Sequence, residues 1–235
     1  MRDPGQIGQN DPLDSAKAAQ FLATEHWSLL ATRSMSWNEA FSRTGMFLST
    51  LSAATVALAL VGPATSFGGT FLVFALVILS ITLFLGVATF VRLSQVNNED
   101  LYWVAGMNRL RGAYVRLVPG IEDEFVTGHT VDTEGVSRSF AAMDVLNEFS
   151  PLHALVTTPA VVGIISASIG GTIAGLLAIG AGASMVVAIV AGLVVLAIGV
   201  ALFVQYARRD MLRYVGRMMD LEAARGPHGG GEGEA

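Results

Sequence analysis

The sequence contains no cysteine and few charged residues. The absence of cysteine excludes disulfide bridges, thiolate metal sites and covalent haem attachment. Only 14% of the 235 residues are charged, whereas a soluble domain carries about 25%. The net charge of -5 and the lack of basic stretches interleaved with aromatic residues argue against nucleic acid as a partner. This balance is not that of an ordinary water-soluble globule.

What the sequence does contain is apolar, since 52% of its residues are hydrophobic. Four uncharged apolar runs occupy residues 46–62, 71–91, 159–178 and 184–204. Each run is close to the about 20 residues that a helix needs to cross about 30 Å of hydrocarbon. Short charge-free segments at 63–70 and 179–183 join them in pairs. The sequence therefore predicts an all-α polytopic membrane protein with four transmembrane helices in two hairpins, and the lipid bilayer as its main partner.

The charged residues predict an orientation in the membrane. All 14 basic and all 19 acidic residues fall in residues 1–43, 92–153 and 208–235. Four spans place these three segments on one side of the bilayer, and the positive-inside rule makes that side cytoplasmic. We therefore expect a multi-pass protein of the plasma membrane with its N- and C-termini in the cytoplasm.

Small residues recur on three of the four spans. Within lipid, helices associate by close approach of their backbones, which small residues spaced by four positions permit. The candidate packing residues are Gly45, Ser49, Ala53 and Ala57 in the first span, Gly171 and Gly175 in the third, and Ala188 and Gly192 in the fourth. They either pack the four helices of one chain or form the interface of a homo-oligomer. The second span is rich in phenylalanine and is expected to be the most exposed to lipid.

No ionisable side chain lies within a span. Such groups usually mark proton relays, ion coupling or voltage sensing, so their absence argues against a proton-coupled transporter, a pump or a voltage sensor. Hydroxyl groups remain in the first three spans. We expect them to bond back to their own helix or across to a neighbour. The alternative is a water-filled pore lined by the first and third spans.

The charged segments are predicted to be mainly helical. After a disordered stretch at 1–12, the first segment is a cytoplasmic or interfacial helix at 13–43, joined to a transmembrane hairpin at 44–92. The middle segment, 93–153, is helical with an acidic loop at 119–136 and a second helix that starts at Ser137. The second hairpin at 154–206 begins its helix with Thr158 as the cap and is followed by a basic amphipathic helix at 207–225 and a disordered tail at 226–235. In the basic helix, Arg209, Arg213 and Arg217 form a row suited to lipid headgroups.

The acidic loop contains the few candidates for metal chemistry. His129, Asp132 and Glu134 could ligate a divalent cation, but the loop lacks the alternating ligands and the glycine of a calcium loop. A solvated acidic loop is the alternative. The sequence shows no glycine-rich nucleotide loop, no nucleophile elbow and no H-E-x-x-H motif. It therefore nominates no catalytic residue and no cofactor.

One stretch carries a resemblance to a known family. The sequence GMNRLRGAY at residues 106–114, continuing to FVTGH at 125–129, resembles a segment of four-span integral membrane proteins of bacteria, mainly actinobacteria. That family brings no known activity. The resemblance implies a bacterial membrane protein and no particular reaction.

These observations favour a non-enzymatic membrane scaffold or interaction protein. It would self-associate through its small-residue helix faces, and its cytoplasmic helices would bind a protein partner or a second copy. The alternative is an oligomeric channel or pore. A third hypothesis is a membrane enzyme that uses Glu124 or His129 of the acidic loop.

Overall fold

A computed structural model describes residues 12–141 and 157–223, and this part of the chain contains helices and no strand. In this part of the chain the α-helices are α1 (Pro12–Ala64), α2 (Gly69–Leu117), α3 (Thr133–Ala141), α4 (Thr158–Gly180) and α5 (Met185–Ala223), with a 3-10 helix at Ile121–Glu124. Within these residues α1, α2, α4 and α5 are long and apolar enough to cross a membrane. The predicted all-α polytopic class is confirmed.

The first two helices are longer than the membrane requires. α1 has 53 residues and α2 has 49, against the about 20 that cross the hydrocarbon. The helix predicted at 13–43 and the first span are thus one continuous helix, as are the second span and the helix that follows it. No proline lies within 13–62 or 69–117 to interrupt them.

Two tight turns connect the spans. In the first, Ser66 and Phe67 adopt left-handed backbone conformations with φ of 49° and 52°. The Phe67 ring lies over Gly62, where a Cβ would be 2.5 Å from the ring atom Cε1. In the second, Gly182 has φ 84°, which glycine adopts without the steric cost of a side chain.

Two predicted helix starts shift in the structure. α3 begins at Thr133 rather than Ser137, because the Asp132 carboxylate accepts a hydrogen bond from the Gly135 amide at 2.8 Å and caps the helix earlier. The N-cap of α4 is Thr157, one residue before Thr158. The rest of the helix predicted from Ser137, the disorder predicted at 1–12 apart from residue 12, and the predicted tail at 226–235 lie outside the described residues.

The chain forms two compact units. The described part of unit 1 comprises residues 12–37 and 99–141, and that of unit 2 comprises residues 38–98 and 157–223. In unit 1, Leu29 of α1 contacts α2 beside Gly106. Unit 2 contains the parts of α1, α2, α4 and α5 that correspond to the four predicted spans.

Helix α2 packs against three other helices of unit 2. A Cβ at Gly86 would collide with Ser166 of α4 and lie 2.8 Å from the Phe47 ring of α1. The Phe90 ring packs against the Phe203 ring of α5 at a tilt of 57°, with ring centroids 4.4 Å apart. The expectation that the second span is the most lipid-exposed is wrong. In the most apolar stretch of α2, 22% of the residues are buried, against 6% in that of α5. Small residues on α2, such as Gly86, let the neighbouring helices approach closely.

Candidate functional site

The small residues of α4 and α5 are in direct contact. A Cβ at Gly171 would lie 2.6 Å from the Gly192 carbonyl oxygen, and one at Gly192 would lie 2.9 Å from the Gly171 carbonyl oxygen. One turn along the hairpin, a Cβ at Gly175 would lie 3.3 Å from the Ala188 oxygen. We call these four residues the hairpin contact. It brings the two backbones together as closely as glycine allows.

The small residues of α1 have no such neighbour. Gly45, Ser49 and Ala53 are exposed and Ala57 is half-buried. A Cβ built at Gly45 would meet nothing within 4 Å. The buried face of this part of α1 lies on the other side of the helix and contains Ala40, Phe47 and Ala54. We call Gly45, Ser49, Ala53 and Ala57 the α1 stripe.

The outward faces of α2 and α5 are built differently. They expose large aliphatic and aromatic side chains, which are Val73, Val77, Ile81 and Phe84 on α2 and Val190, Leu193, Val194 and Ile198 on α5. Bulky apolar side chains suit contact with lipid chains, whereas small residues are typical of helix–helix interfaces. The α1 stripe thus has the small-residue composition of a helix–helix interface, and the larger side chains of Val56 and Leu60 are exposed on the same side of α1.

Eight hydroxyl groups within the spans bond to their own helices, as expected. In each case the hydroxyl donates to the carbonyl oxygen four residues earlier, at distances of 2.7–2.9 Å. The residues are Thr50, Ser52, Thr55, Thr82, Thr89, Ser166, Ser168 and Thr172. Their protons are already engaged, so these groups stabilise single helices and do not link the helices of one chain.

A shallow groove follows the hairpin contact on the outside of α4 and α5. Its volume is about 400 Å³, and the lining includes Ser168 and Thr172 besides apolar side chains such as Leu176, Ile189 and Leu193. Both hydroxyl protons of the groove bond back to α4. The groove is therefore an apolar surface with little polar chemistry to offer a ligand.

Polar pairs link the helices of unit 2, and sequence reasoning missed them. Glu39 of α1 accepts hydrogen bonds from Arg92 of α2 and from Arg43 one turn along α1. Asn98 of α2 donates to the Asp210 carboxylate of α5 at 2.6 Å. The spacing of Glu39 and Arg43 is a sequence signal for the local pair, but the partners in other helices leave no such signal.

An ion pair links α1 and α2 in unit 1. The Asp100 carboxylate, whose side chain is 6% exposed, accepts from both Nε and Nη2 of Arg33. The Trp37 indole N–H donates to the same carboxylate at 3.0 Å. No local pattern in the sequence indicates that Asp100 pairs with Arg33 and Trp37, because these residues are more than 60 positions apart. Their pairing satisfies a charge that would be costly to bury alone.

A second buried network organises the segment after α2. Asn108 is fully buried and donates to the carbonyl oxygens of Thr130 and Gly135 at 3.0 and 3.1 Å. The Ser139 hydroxyl donates to the Asn108 side-chain oxygen at 2.9 Å and accepts from the Gly128 amide at 3.1 Å. A Cβ at Gly128 would collide with the backbone of Gly135, and a Cβ at Gly135 would collide with Thr130, so neither position has room for a side chain. The network fixes residues 128–139 against α2.

The predicted acidic loop is partly ordered structure. Residues Ile121–Glu124 form a 3-10 turn, and Asp132 caps α3. Hydrogen bonds from the Gly135 amide and the Thr130 hydroxyl lower the pKa of Asp132. Within residues 12–141 and 157–223, no group of three histidine, aspartate or glutamate side chains could hold a metal ion. Glu134 lies 4.0 Å from Arg138 and is exposed, while His129 contributes its carbonyl oxygen to the surroundings of Gly112.

The basic row at the end of α5 is only partly described. Arg209 and Arg213 are exposed, as is Leu212, which lies next to Arg213 on the helix. The helix itself continues to Ala223. The side chain of Arg217 lies outside the described ones. The two described arginines are accessible to an anionic surface.

In comparisons with known proteins, no family model, no curated protein and no solved structure matches this chain. A role for the protein must therefore be inferred from its own geometry. The surfaces that carry such an inference are the α1 stripe, the hairpin contact and the charged groups of unit 1.

Proposed function

We propose that the protein is a non-enzymatic membrane scaffold that associates with copies of itself through the α1 stripe. The observation that carries this proposal is the exposure of Gly45, Ser49 and Ala53 on a helix whose opposite face is buried. The hairpin contact supports it, because there the same residue types bring two helices of this chain into backbone contact.

The physical basis is the weakness of the hydrophobic effect inside a bilayer. Lipid chains are as apolar as leucine, so helices associate through close packing and hydrogen bonds, and small residues permit that packing. A face that touches only lipid gains nothing from glycine, serine and alanine. Large residues on the outward faces of α2 and α5 fit lipid contact, whereas Gly45, Ser49 and Ala53 permit close approach of a second helix.

The proposal includes a location and an orientation. We place the protein in the plasma membrane with both termini in the cytoplasm, because basic residues flank the spans on one side only. Arg209 and Arg213, with Arg217, would then meet the phosphates of the cytoplasmic leaflet. The charged helices on that side are where a cytoplasmic protein partner would bind. Membership of the bacterial four-span family that residues 106–129 resemble is part of the same proposal.

Self-association is tested by measuring the mass of the full chain in mild detergent and after reconstitution. We expect an oligomer for the wild type, and a monomer for the double variant Gly45→Leu/Ala53→Leu, whose larger side chains hold a second backbone away. Ala88→Leu, at an exposed position of α2, is the matched control and should stay oligomeric. A monomeric wild type, or equal behaviour of both variants, would contradict the proposal.

Dye leakage from liposomes made with the same preparation distinguishes a scaffold from a pore. Liposomes that contain the protein and a trapped dye should retain the dye at the level of empty liposomes. The spans hold no ionisable side chain, and their described hydroxyl protons are bonded within single helices, so a water-filled path has few groups to line it. Leakage that rises with protein and disappears in Gly45→Leu/Ala53→Leu would favour an oligomeric channel instead.

A further inference from the structure

Arg111 of α2 differs from the other partly buried arginines of the described chain. Arg33 pairs with Asp100, and Arg92 pairs with Glu39. Arg111 is half-buried, yet its hydrogen bonds go to neutral oxygens. Its Nη1 donates to the Asn108 side chain at 2.8 Å and to the Gly128 carbonyl at 3.5 Å.

The remaining edge of the Arg111 guanidinium, Nε and Nη2, has no acceptor in the part of the chain that the structure describes. Neither atom belongs to the buried polar atoms that lack a partner, which are Ser94 Oγ and Trp103 Nε1. The edge is therefore reachable from solvent. The same edge of Arg33 binds both oxygens of the Asp100 carboxylate, which shows what it binds when an acceptor is present.

The surroundings of Arg111 are positive. The charge of Arg33 acts on Arg111, and the charge of Arg111 acts on His26 of α1. Asp100 neutralises the guanidinium charge of Arg33, so the charge of Arg111 remains without a counter-ion at a partly desolvated position. Tyr114 lies one turn along α2, with its ring 6.5 Å from the His26 ring. A half-buried charge without a counter-ion is costly, and an anion that bound there would remove that cost.

We propose that the open Nε and Nη2 edge of Arg111 binds a phosphate group, with His26 and Tyr114 beside it. The planar edge of a guanidinium matches two oxygens of one oxyanion. A dianionic phosphate gains about twice the Coulomb attraction of a carboxylate from the one guanidinium charge that Asp100 leaves uncompensated. The phosphate is that of a small soluble molecule or of a lipid headgroup, since both present the same chemistry.

The test is binding of inorganic phosphate to the full chain in phosphatidylcholine nanodiscs, measured calorimetrically at pH 7.5 and constant ionic strength. We expect saturable binding by the wild type. Arg111→Gln should weaken it at least tenfold, which corresponds to about 1.4 kcal/mol, because the charge-assisted hydrogen bonds to the phosphate are lost. Arg111→Lys should bind weakly, since it retains the charge and loses the two-pronged edge.

Arg109→Gln is the matched control, because Arg109 is exposed on the same helix and the change in charge is the same. It should bind phosphate like the wild type. Absence of saturable binding by the wild type, or equal loss in Arg109→Gln and Arg111→Gln, would overturn the proposal. If Arg111→Gln loses helical content, the phosphate affinity of Arg111→Lys is compared with that of the wild type instead. Equal affinities of these two proteins would also overturn the proposal.

A second arm distinguishes the two sources of the phosphate. Nanodiscs that contain phosphatidic acid place a phosphate monoester at the membrane surface. Competition between phosphatidic acid and inorganic phosphate for the Arg111 edge indicates the headgroup, and binding of inorganic phosphate alone in both lipids indicates a soluble ligand. Binding at this edge does not depend on self-association, which the mass of the same particles reports separately.

Discussion

The hairpin contact and the α1 stripe consist of the same kinds of residue but differ in what lies against them. Around Gly171 and Gly192 the backbones of two helices leave no room for a Cβ, whereas a Cβ at Gly45 would meet nothing within 4 Å. Small residues are a requirement of the first surface. On the second, Gly45 and Ser49 are weaker helix formers than alanine, a cost that is offset when another helix packs on them.

The charged groups of unit 1 show the same contrast. The Nε and Nη2 edge of Arg33 is filled by Asp100, and the corresponding edge of Arg111 is open in the described chain. In both comparisons one surface, the hairpin contact or the Arg33 edge, contacts a partner within the chain. The other, the α1 stripe or the Arg111 edge, has none in the described residues. The open member is the one that can serve an intermolecular role.

The largest effect is expected when the counter-ion of a paired arginine is removed. Asp100→Asn leaves the Arg33 charge without its counter-ion, and removal of one member of a buried ion pair costs about 3–5 kcal/mol. Because the Arg33 side chain is 19% exposed, we expect the lower end of that range. Hydrogen exchange of the amides around Trp37 and Tyr102 measures the loss of stability.

Glu134→Gln is the control for this variant, since Glu134 and Arg138 form an exposed pair 4.0 Å apart. Such pairs contribute less than about 1 kcal/mol, so exchange around Trp37 should be unchanged. If Asp100→Asn exchanges like the wild type, the Arg33 edge does not need its partner and the comparison with Arg111 fails.

A smaller effect is expected at the hairpin contact. In Gly171→Ala the new Cβ lies 2.6 Å from the Gly192 oxygen, so the two helices must separate. Overpacking of this kind costs about 1–3 kcal/mol. Reversible unfolding in mixed detergent micelles should show that decrease in the free energy of unfolding. Unchanged stability would mean that the close approach of α4 and α5 is not required.

The smallest effect is expected from the same substitution on the α1 stripe. Gly45→Ala adds a methyl group in open space and replaces glycine by the better helix former, a preference of about 1 kcal/mol. Measured on the monomer in the same micelles, stability should stay equal or rise slightly. A loss as large as that of Gly171→Ala would show that Gly45 already has a partner within the chain.

Hydropathy and length were sufficient to predict the four spans, because both depend only on residues that are adjacent in sequence. The sequence identified the small residues of α4 and α5 but left open whether they pack within one chain or between copies. A short turn makes the two helices antiparallel neighbours, so glycines near equal distances from the turn can meet. The α1 stripe was recognisable as an interface by composition, but the sequence did not indicate that it faces away from the rest of the chain.

The polar pairs could not be found in this way. Arg33 and Asp100 are 67 residues apart, and Asn98 and Asp210 are 112 apart. Whether such a residue is buried depends on a partner that local pattern does not specify. One signal was present, because Asp100 and Asn108 interrupt the apolar face of α2 marked by Val104. A polar residue within an apolar stripe indicates a partner across the helix contact.

The turns between the spans have a consequence for access. Helix resumes at Gly69 after α1 ends at Ala64, and at Met185 after α4 ends at Gly180. Whichever compartment these turns face, they offer few residues to antibodies, proteases or soluble ligands. A soluble partner therefore finds little surface at these turns.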